Sequence, residues 1–94
     1  MTLGADGGIR TARLSRAMGH PARVAIVQYL RTRPGGATCG EIVRQLPLAQ
    51  STISQHLRVL ADAGLVVGQS APPRVRYSLE PRTFDEWRRL VAAL

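Results

Sequence analysis

Between Leu48 and Gly64 the chain reads Leu-Ala-Gln-Ser-Thr-Ile-Ser-Gln-His-Leu-Arg-Val-Leu-Ala-Asp-Ala-Gly, and this stretch restricts the fold more than any other. At about 100° per residue, Leu57 and Leu60 fall within roughly 40° of Ile53, which gives one apolar stripe along a helix. Ser51, Gln55, Arg58 and Asp62 occupy the opposite face, with Thr52 and Ser54 on its flanks. A solvated helix face is usually rich in Glu, Lys and Arg. Here the first two turns carry short hydrogen-bonding side chains, followed by Arg. Small polar groups let a helix approach base edges closely, and Gln and Arg can each make paired hydrogen bonds to a base. The pattern implies a helix that lies in the major groove of DNA. The plain alternative is an amphipathic helix whose polar side is merely wet.

The rest of the chain is consistent with a polyanionic partner. It has 94 residues, enough for one small domain, and a formal charge of +7 in which every basic residue is Arg. Such a balance points to nucleic acid or an acidic membrane surface. No apolar run approaches the roughly 20 residues of a membrane span, and the start lacks the charged and apolar regions of a signal peptide. A single cysteine excludes an intrachain disulfide framework and fits a reducing cytoplasm. Tyr29, Tyr77, Phe84 and Trp87 are too scattered to form a base-stacking platform. A domain of this size buries only about 60–65% of its unfolded surface, so a second subunit would add stability.

Residues 1–8, glycine-rich and aperiodic, are expected to form a disordered tail ahead of one domain over 9–94. A first helix starts near Ile9 and runs to Gly19-His20-Pro21, where Gly suits a helix end and Pro the start of the next. The second, about Pro21 to Arg31, gathers Val24, Val27 and Leu30 on a core side and stops at Pro34-Gly35-Gly36. Thr38-Cys39-Gly40-Glu41 has the form of a capping box for a short helix that Pro47 ends. A short helix, a tight turn and a longer helix make a helix-turn-helix. After Gly64, residues 65–70 and 74–79 read as two strands around Ala71-Pro72-Pro73. Val75, Tyr77 and Leu79 alternate with Arg74, Arg76 and Ser78. That hairpin is a wing, with Arg74 and Arg76 facing outward to phosphate or a minor groove. The plain alternative for this pair is a basic strand edge that blocks aggregation. Thr83-Phe84-Asp85-Glu86 has the form of a second capping box, opening a last helix to about Ala93. The apolar sides of the first and last helices exceed what a small domain needs. They suggest a symmetric dimer interface built from Leu14, Met18, Phe84, Trp87, Leu90, Val91 and Leu94. Alternatively, both helices fold onto their own subunit.

At this point three segments resemble a known family. Ala17-Met18-Gly19-His20-Pro21-Ala22-Arg23 resembles the Leu-x-His/Asp-Pro-x-Arg entry to the second helix of ArsR (SmtB/ArsR-type) winged helix-turn-helix repressors. The run Ser51 to Val66 is similar to their recognition signature, Ser-x-x-Ser-x-His-Leu-x-x-Leu-x-x-Ala-Gly-Leu-Val. Arg76-Tyr77-Ser78-Leu79 resembles the end of their wing, and the likeness covers roughly Leu14 to Leu94. It implies an intracellular homodimer that binds an imperfect palindrome in a promoter and responds to an effector. Two departures stand out. Ala49 replaces the Ser that often caps the recognition helix, at a cost of about 1 kcal/mol. The ligand sets of metal-sensing members are also incomplete. The third helix has Cys39 without the second Cys of a Cys-x-Cys pair, and the last helix has Asp85 and Glu86 but no His.

Each candidate sensor group has a plainer reading beside it. Cys39 at a helix start could be a redox switch or one ligand of an incomplete metal site, or a small apolar filler. His20 and His56 could ligate a metal. The motif positions favour capping or packing for His20, and DNA-backbone contact or packing for His56. A nickel or zinc effector site, with His20 and an acidic group meeting across a dimer, stays open. Ser54, His56 and Asp62 contain the letters of a hydrolytic triad but point in different directions on one helix, so no enzyme is expected. The reading is a mainly α fold with a small β-hairpin wing, ordered α-α-α-α-β-β-α and dimeric through its first and last helices. A recognition helix at about 50–63 presents Ser51, Thr52, Ser54, Gln55 and Arg58 to bases of double-stranded operator DNA. Thr52, His56, Arg74 and Arg76, with the wing at 65–79, hold the backbone. A winged-helix protein-interaction module with an acidic partner is the reading from another class.

Overall fold

The computed structural model describes residues 7–94. Five helices and a three-stranded sheet follow in the order α1 (Gly8–Met18), α2 (Pro21–Arg31), β1 (Ala37–Thr38), α3 (Cys39–Gln45), α4 (Gln50–Asp62), β2 (Val66–Ala71), β3 (Arg74–Leu79) and α5 (Pro81–Ala92). Of the expected disordered tail, residues 1–6 lie outside the described residues. Gly7 and Gly8 are already structured: Gly7 caps α1 at φ 86°, and its carbonyl accepts from the Thr11 N–H and hydroxyl.

Local chemistry sets most boundaries. The His20 Nδ1 accepts from the Ala22 N–H at 3.0 Å, and Pro21 occupies the first turn of α2. Thr38 caps α3 through the Glu41 N–H at 3.2 Å, but the expected return bond from the Glu41 side chain is replaced by other partners described below. At the end of α4, Gly64 (φ 80°) and Leu65 return their N–H groups to Ala61 and Leu60, closing a Schellman motif. The second capping box is a correction. Helix α5 begins at Pro81, three residues before Phe84, because the Glu80 carboxylate accepts from the Arg82 N–H at 3.0 Å; Thr83 is inside the helix.

Strand β1 was not expected. It adds to the outer side of β3, pairing Ala37 with Tyr77 and Thr38 with Arg76, so the sheet order is β1-β3-β2. The approach demands Gly36, whose φ is 81° and where a Cβ would lie 2.6 Å from the Tyr77 carbonyl oxygen.

One core serves the whole subunit. Leu14, Ala17 and Met18 of α1, Ile26, Val27 and Leu30 of α2, Ile42, and Ile53, Leu57 and Leu60 of α4 are buried together with Leu65, Val66 and Phe84. This corrects the expected allocation of three dimer residues. Leu14, Met18 and Phe84 are inside the protomer, because α1 and α5 are needed to cover α2 and α4. Helices α1 and α5 are also tied to each other: Trp87 Nε1 donates to Ser15 Oγ at 3.0 Å, and Arg10 makes a two-pronged contact with Glu86 at 2.9 and 3.0 Å. Trp87 and Leu90 are half-buried, whereas Val91 (39%), Leu94 (90%) and Ile9 (62%) stay exposed. No helix among the described residues is long and apolar enough to cross a membrane.

Candidate nucleic-acid interface

Helix α4 buries Ile53, Leu57 and Leu60 and leaves Ser51, Ser54, Gln55, Arg58 and Asp62 exposed, with Thr52 and His56 half-buried at the margin. Ala49 forms no side-chain cap, so the leading N–H groups of α4 lack that acceptor at the positive end of the helix. Val59 is 38% exposed and lies one turn beyond Gln55 on the same side. Sequence reasoning passed over it because an apolar residue in an amphipathic helix reads as core.

The register of the wing places Val66, Gly68 and Ser70 beside Leu79, Tyr77 and Val75 on one face. Val67, Gln69 and Ala71 share the other with Ser78, Arg76 and Arg74. Arg74 is exposed at the tip, paired with Ala71. Arg76 is not free to point outward as expected. Its guanidinium donates to the Gly36 carbonyl at 3.0 Å and meets Glu41 Oε1 at 3.4 Å, while Arg33 approaches the other Glu41 oxygen at 3.5 Å. Glu41 thus serves the base of the wing instead of the α3 cap. A groove between the wing and the α3–α4 unit is lined by Arg74, Arg44 and Gln50, and a second by Tyr77 with Ser54, Gln55 and Arg58. Arg44 and Gln50 were absent from the candidates. The signal for Arg44 was present: it lies two residues from buried Ile42, roughly 200° around the helix.

At the other margin of α4, three residues interlock. Arg23 Nε donates to the Ala17 carbonyl at 2.6 Å, its Nη2 to the Arg16 carbonyl at 3.4 Å, and its Nη1 to His56 Nδ1 at 3.2 Å. The His20 and His56 rings pack with centroids 4.4 Å apart and planes tilted by 47°. Burial, then the neighbouring His20 and Arg23, holds His56 below the ordinary imidazole range. Elsewhere the two-pronged hydrogen bond from Arg10 lowers the Glu86 carboxyl and raises the guanidinium.

These contacts bear on a metal. Cys39, half-buried, has its Sγ 3.5 Å from Ser54 Oγ and 3.9 Å from the Gln50 carbonyl, packing α3 on α4. The Nδ1 atoms of both histidines accept N–H bonds. Among the described residues no three His, Cys, Asp or Glu side chains converge as a metal site. This donor set does not fit a nickel, zinc or thiophilic centre within one subunit.

A short helix and a longer one joined by a tight turn, followed by a β2–β3 hairpin whose sheet takes β1 as its third strand, define a winged helix-turn-helix protein of the DNA-binding class. A helix-turn-helix domain family matches residues 18–69, more than half of the chain. The chain is 38% identical over 71 residues to the HTH-type transcriptional regulator YgaV of Escherichia coli K12, covering 76% of this chain and 71% of that protein. It is 34% identical over 76 residues to a probable mercury resistance operon repressor of Streptomyces lividans, covering 80% of this chain and 59% of that one. A crystal structure described as a possible transcriptional regulator for arsenical resistance superimposes with a TM-score of 0.77 at 33% identity, over 86% of this chain and 81% of the other. The chain belongs to the ArsR-type winged helix-turn-helix transcriptional regulators.

Proposed function

We propose that the chain acts as a homodimeric repressor that binds an operator palindrome, with α4 in the major groove and the wing along the sugar–phosphate backbone. The observation that carries this reading is the division of α4: its apolar stripe is wholly inside the subunit, while Ser51, Ser54, Gln55 and Arg58 are exposed beside the wing groove. Gln55 and Arg58 have the reach and the paired donors to read base edges. Thr52 stands at the margin, where it serves a phosphate. Arg44, Arg58 and Arg74 make no salt bridge among the described residues, so their charge is available to phosphates. Arg76 supports the wing from within.

A second copy covers the apolar surface that the end helices leave over, where exposed Val91 and Leu94 follow half-buried Trp87 and Leu90 along α5, with Ile9 exposed on α1. A winged helix-turn-helix domain from Mycobacterium bovis with the same fold, at a TM-score of 0.77 and 19% identity, is described as homodimeric. Two-fold symmetry sets the half-sites about 34 Å apart, one turn of duplex. Two relatives carry names tied to mercury and arsenical resistance, while among the described residues of one subunit no three His, Cys, Asp or Glu side chains converge to hold such a metal.

The test is selection from a random duplex library followed by affinity measurement. A palindromic site is expected to emerge, and Gln55→Ala should relax preference at one base pair by about 1–3 kcal/mol. Uniform, fully salt-sensitive binding without an enriched sequence would instead favour a protein-interaction module.

A further inference from the structure

We propose that Arg23 is a positioning residue for DNA binding, fastening the recognition helix to the end of α1 through the lone pair of a neutral His56, so that a proton on His56 weakens sequence-specific binding. The inference rests on the operator-binding reading above.

The argument is one of donors and acceptors. A guanidinium has donors and no acceptor, so the Nδ1 of His56 can meet Arg23 Nη1 at 3.2 Å only as a lone pair. The other nitrogens of Arg23 are spent on the carbonyls of Ala17 and Arg16, in the last turn of α1. One side chain of α2 therefore joins α1 to α4. His20 stands beside His56, with its own Nδ1 accepting from the Ala22 N–H. The two rings lie 4.4 Å apart with their planes tilted by 47°, so a proton on His56 places a cation beside the Arg23 guanidinium in a half-buried site, which costs free energy.

The charged groups around His56 all act in one direction. Arg23 faces it from α2 and His20 from the α1–α2 junction, and α1 presents carbonyl oxygens to Arg23. From α3, Cys39 meets Ser54, on the opposite side of α4. Strand β2 carries no titratable residue. The histidine is held below its ordinary value, chiefly by burial. In the folded subunit the proton therefore arrives only below the ordinary imidazole value of about 6.5, and the Arg23 contact is lost as the pH falls through the lowered value. The sign matters. Added positive charge alone would tighten binding to any duplex in acid, whereas loss of the Arg23 contact loosens binding to the selected one.

Duplexes selected by the wild-type protein at about pH 7.5 are titrated at that pH and at about pH 5.0, at constant ionic strength, with a random duplex and far-UV circular dichroism melts alongside. Wild type is expected to lose about tenfold in affinity for the selected duplex, within the limit of about tenfold per pH unit for one proton. The random duplex should bind equally or more tightly in acid. His56→Asn supplies an amide oxygen near the place of Nδ1 and cannot titrate, so its ratio of Kd values at the two pH values should be near one. Arg23→Lys keeps the charge without the three-way reach. It should bind the selected duplex about tenfold more weakly at pH 7.5 and change little on acidification. Equal acid loss in wild type and His56→Asn, no acid loss in wild type, or a melt showing the subunit unfolded at pH 5.0 would each overturn the inference. If no sequence is enriched in the selection, the operator-binding reading fails and takes this inference with it.

Discussion

Glu41 and Glu86 illustrate how a basic chain uses its few carboxylates. Each is committed to arginine: Glu86 to Arg10 across α1 and α5, Glu41 to Arg33 and Arg76 at the foot of the wing. The Glu86 carboxyl is lowered by the Arg10 hydrogen bond, so its contribution is present above the ordinary carboxylate pKa and disappears as the pH falls through the lowered value. Glu86→Gln is therefore expected to melt below wild type near neutral pH and to match it near pH 2, a comparison that thermal circular dichroism makes directly. At this scale the sequence was a partial guide. Periodicity alone assigned Ser51, Gln55, Arg58 and Asp62 to the open face of α4 and Ser54 to its flank, and all five are exposed. The partners of Arg23, Glu41 and Arg76 were not legible, because each bond joins residues brought together by tertiary folding, at separations of six to 40 positions.

Helices α2, α3 and α4 were readable from their breaks and caps, since His20, Pro21, Thr38 and Gly64 act on atoms within a few residues of themselves. Strand β1 escaped notice because two residues carry no period, and the pairing is decided by Gly36 and by an edge of β3 that no local pattern announces. The start of α5 was misplaced because two capping sequences compete there, Glu80 with Pro81 and Thr83 with Glu86, and the proline fixes the earlier turn. Helix α4 retains a stability deficit at Ala49. Ala49→Ser should return about 0.5–1 kcal/mol of helix stability, read as a higher midpoint in urea. If leading N–H groups of α4 receive a phosphate, the same serine will compete for them. Stability and operator affinity would then move in opposite directions.

For the whole subunit the decisive question is how much apolar surface the fold leaves over. The sequence placed Leu14, Met18, Phe84, Trp87, Leu90, Val91 and Leu94 in one interface. The structure divides them, taking Leu14, Met18 and Phe84 inward and leaving Val91 and Leu94 outside. Which of these residues face inward was not legible, because helix periodicity marks an apolar side without saying which body covers it. Val91→Asp is expected to leave the melting of the subunit nearly unchanged, since the position is exposed, while converting the dimer to monomer in light scattering. Operator affinity should fall with it, as two half-sites bound together gain from their linkage by about 10²-fold or more.

The ladder between β1 and β3 ends at Arg76, so Ser70, Ala71, Arg74 and Val75 extend beyond the third strand as a two-stranded cantilever. Its root is bolted by Arg76 through Gly36 and Glu41, and its free end carries Arg74. In the proposed complex the tip would therefore meet a backbone on a two-stranded arm anchored at its base.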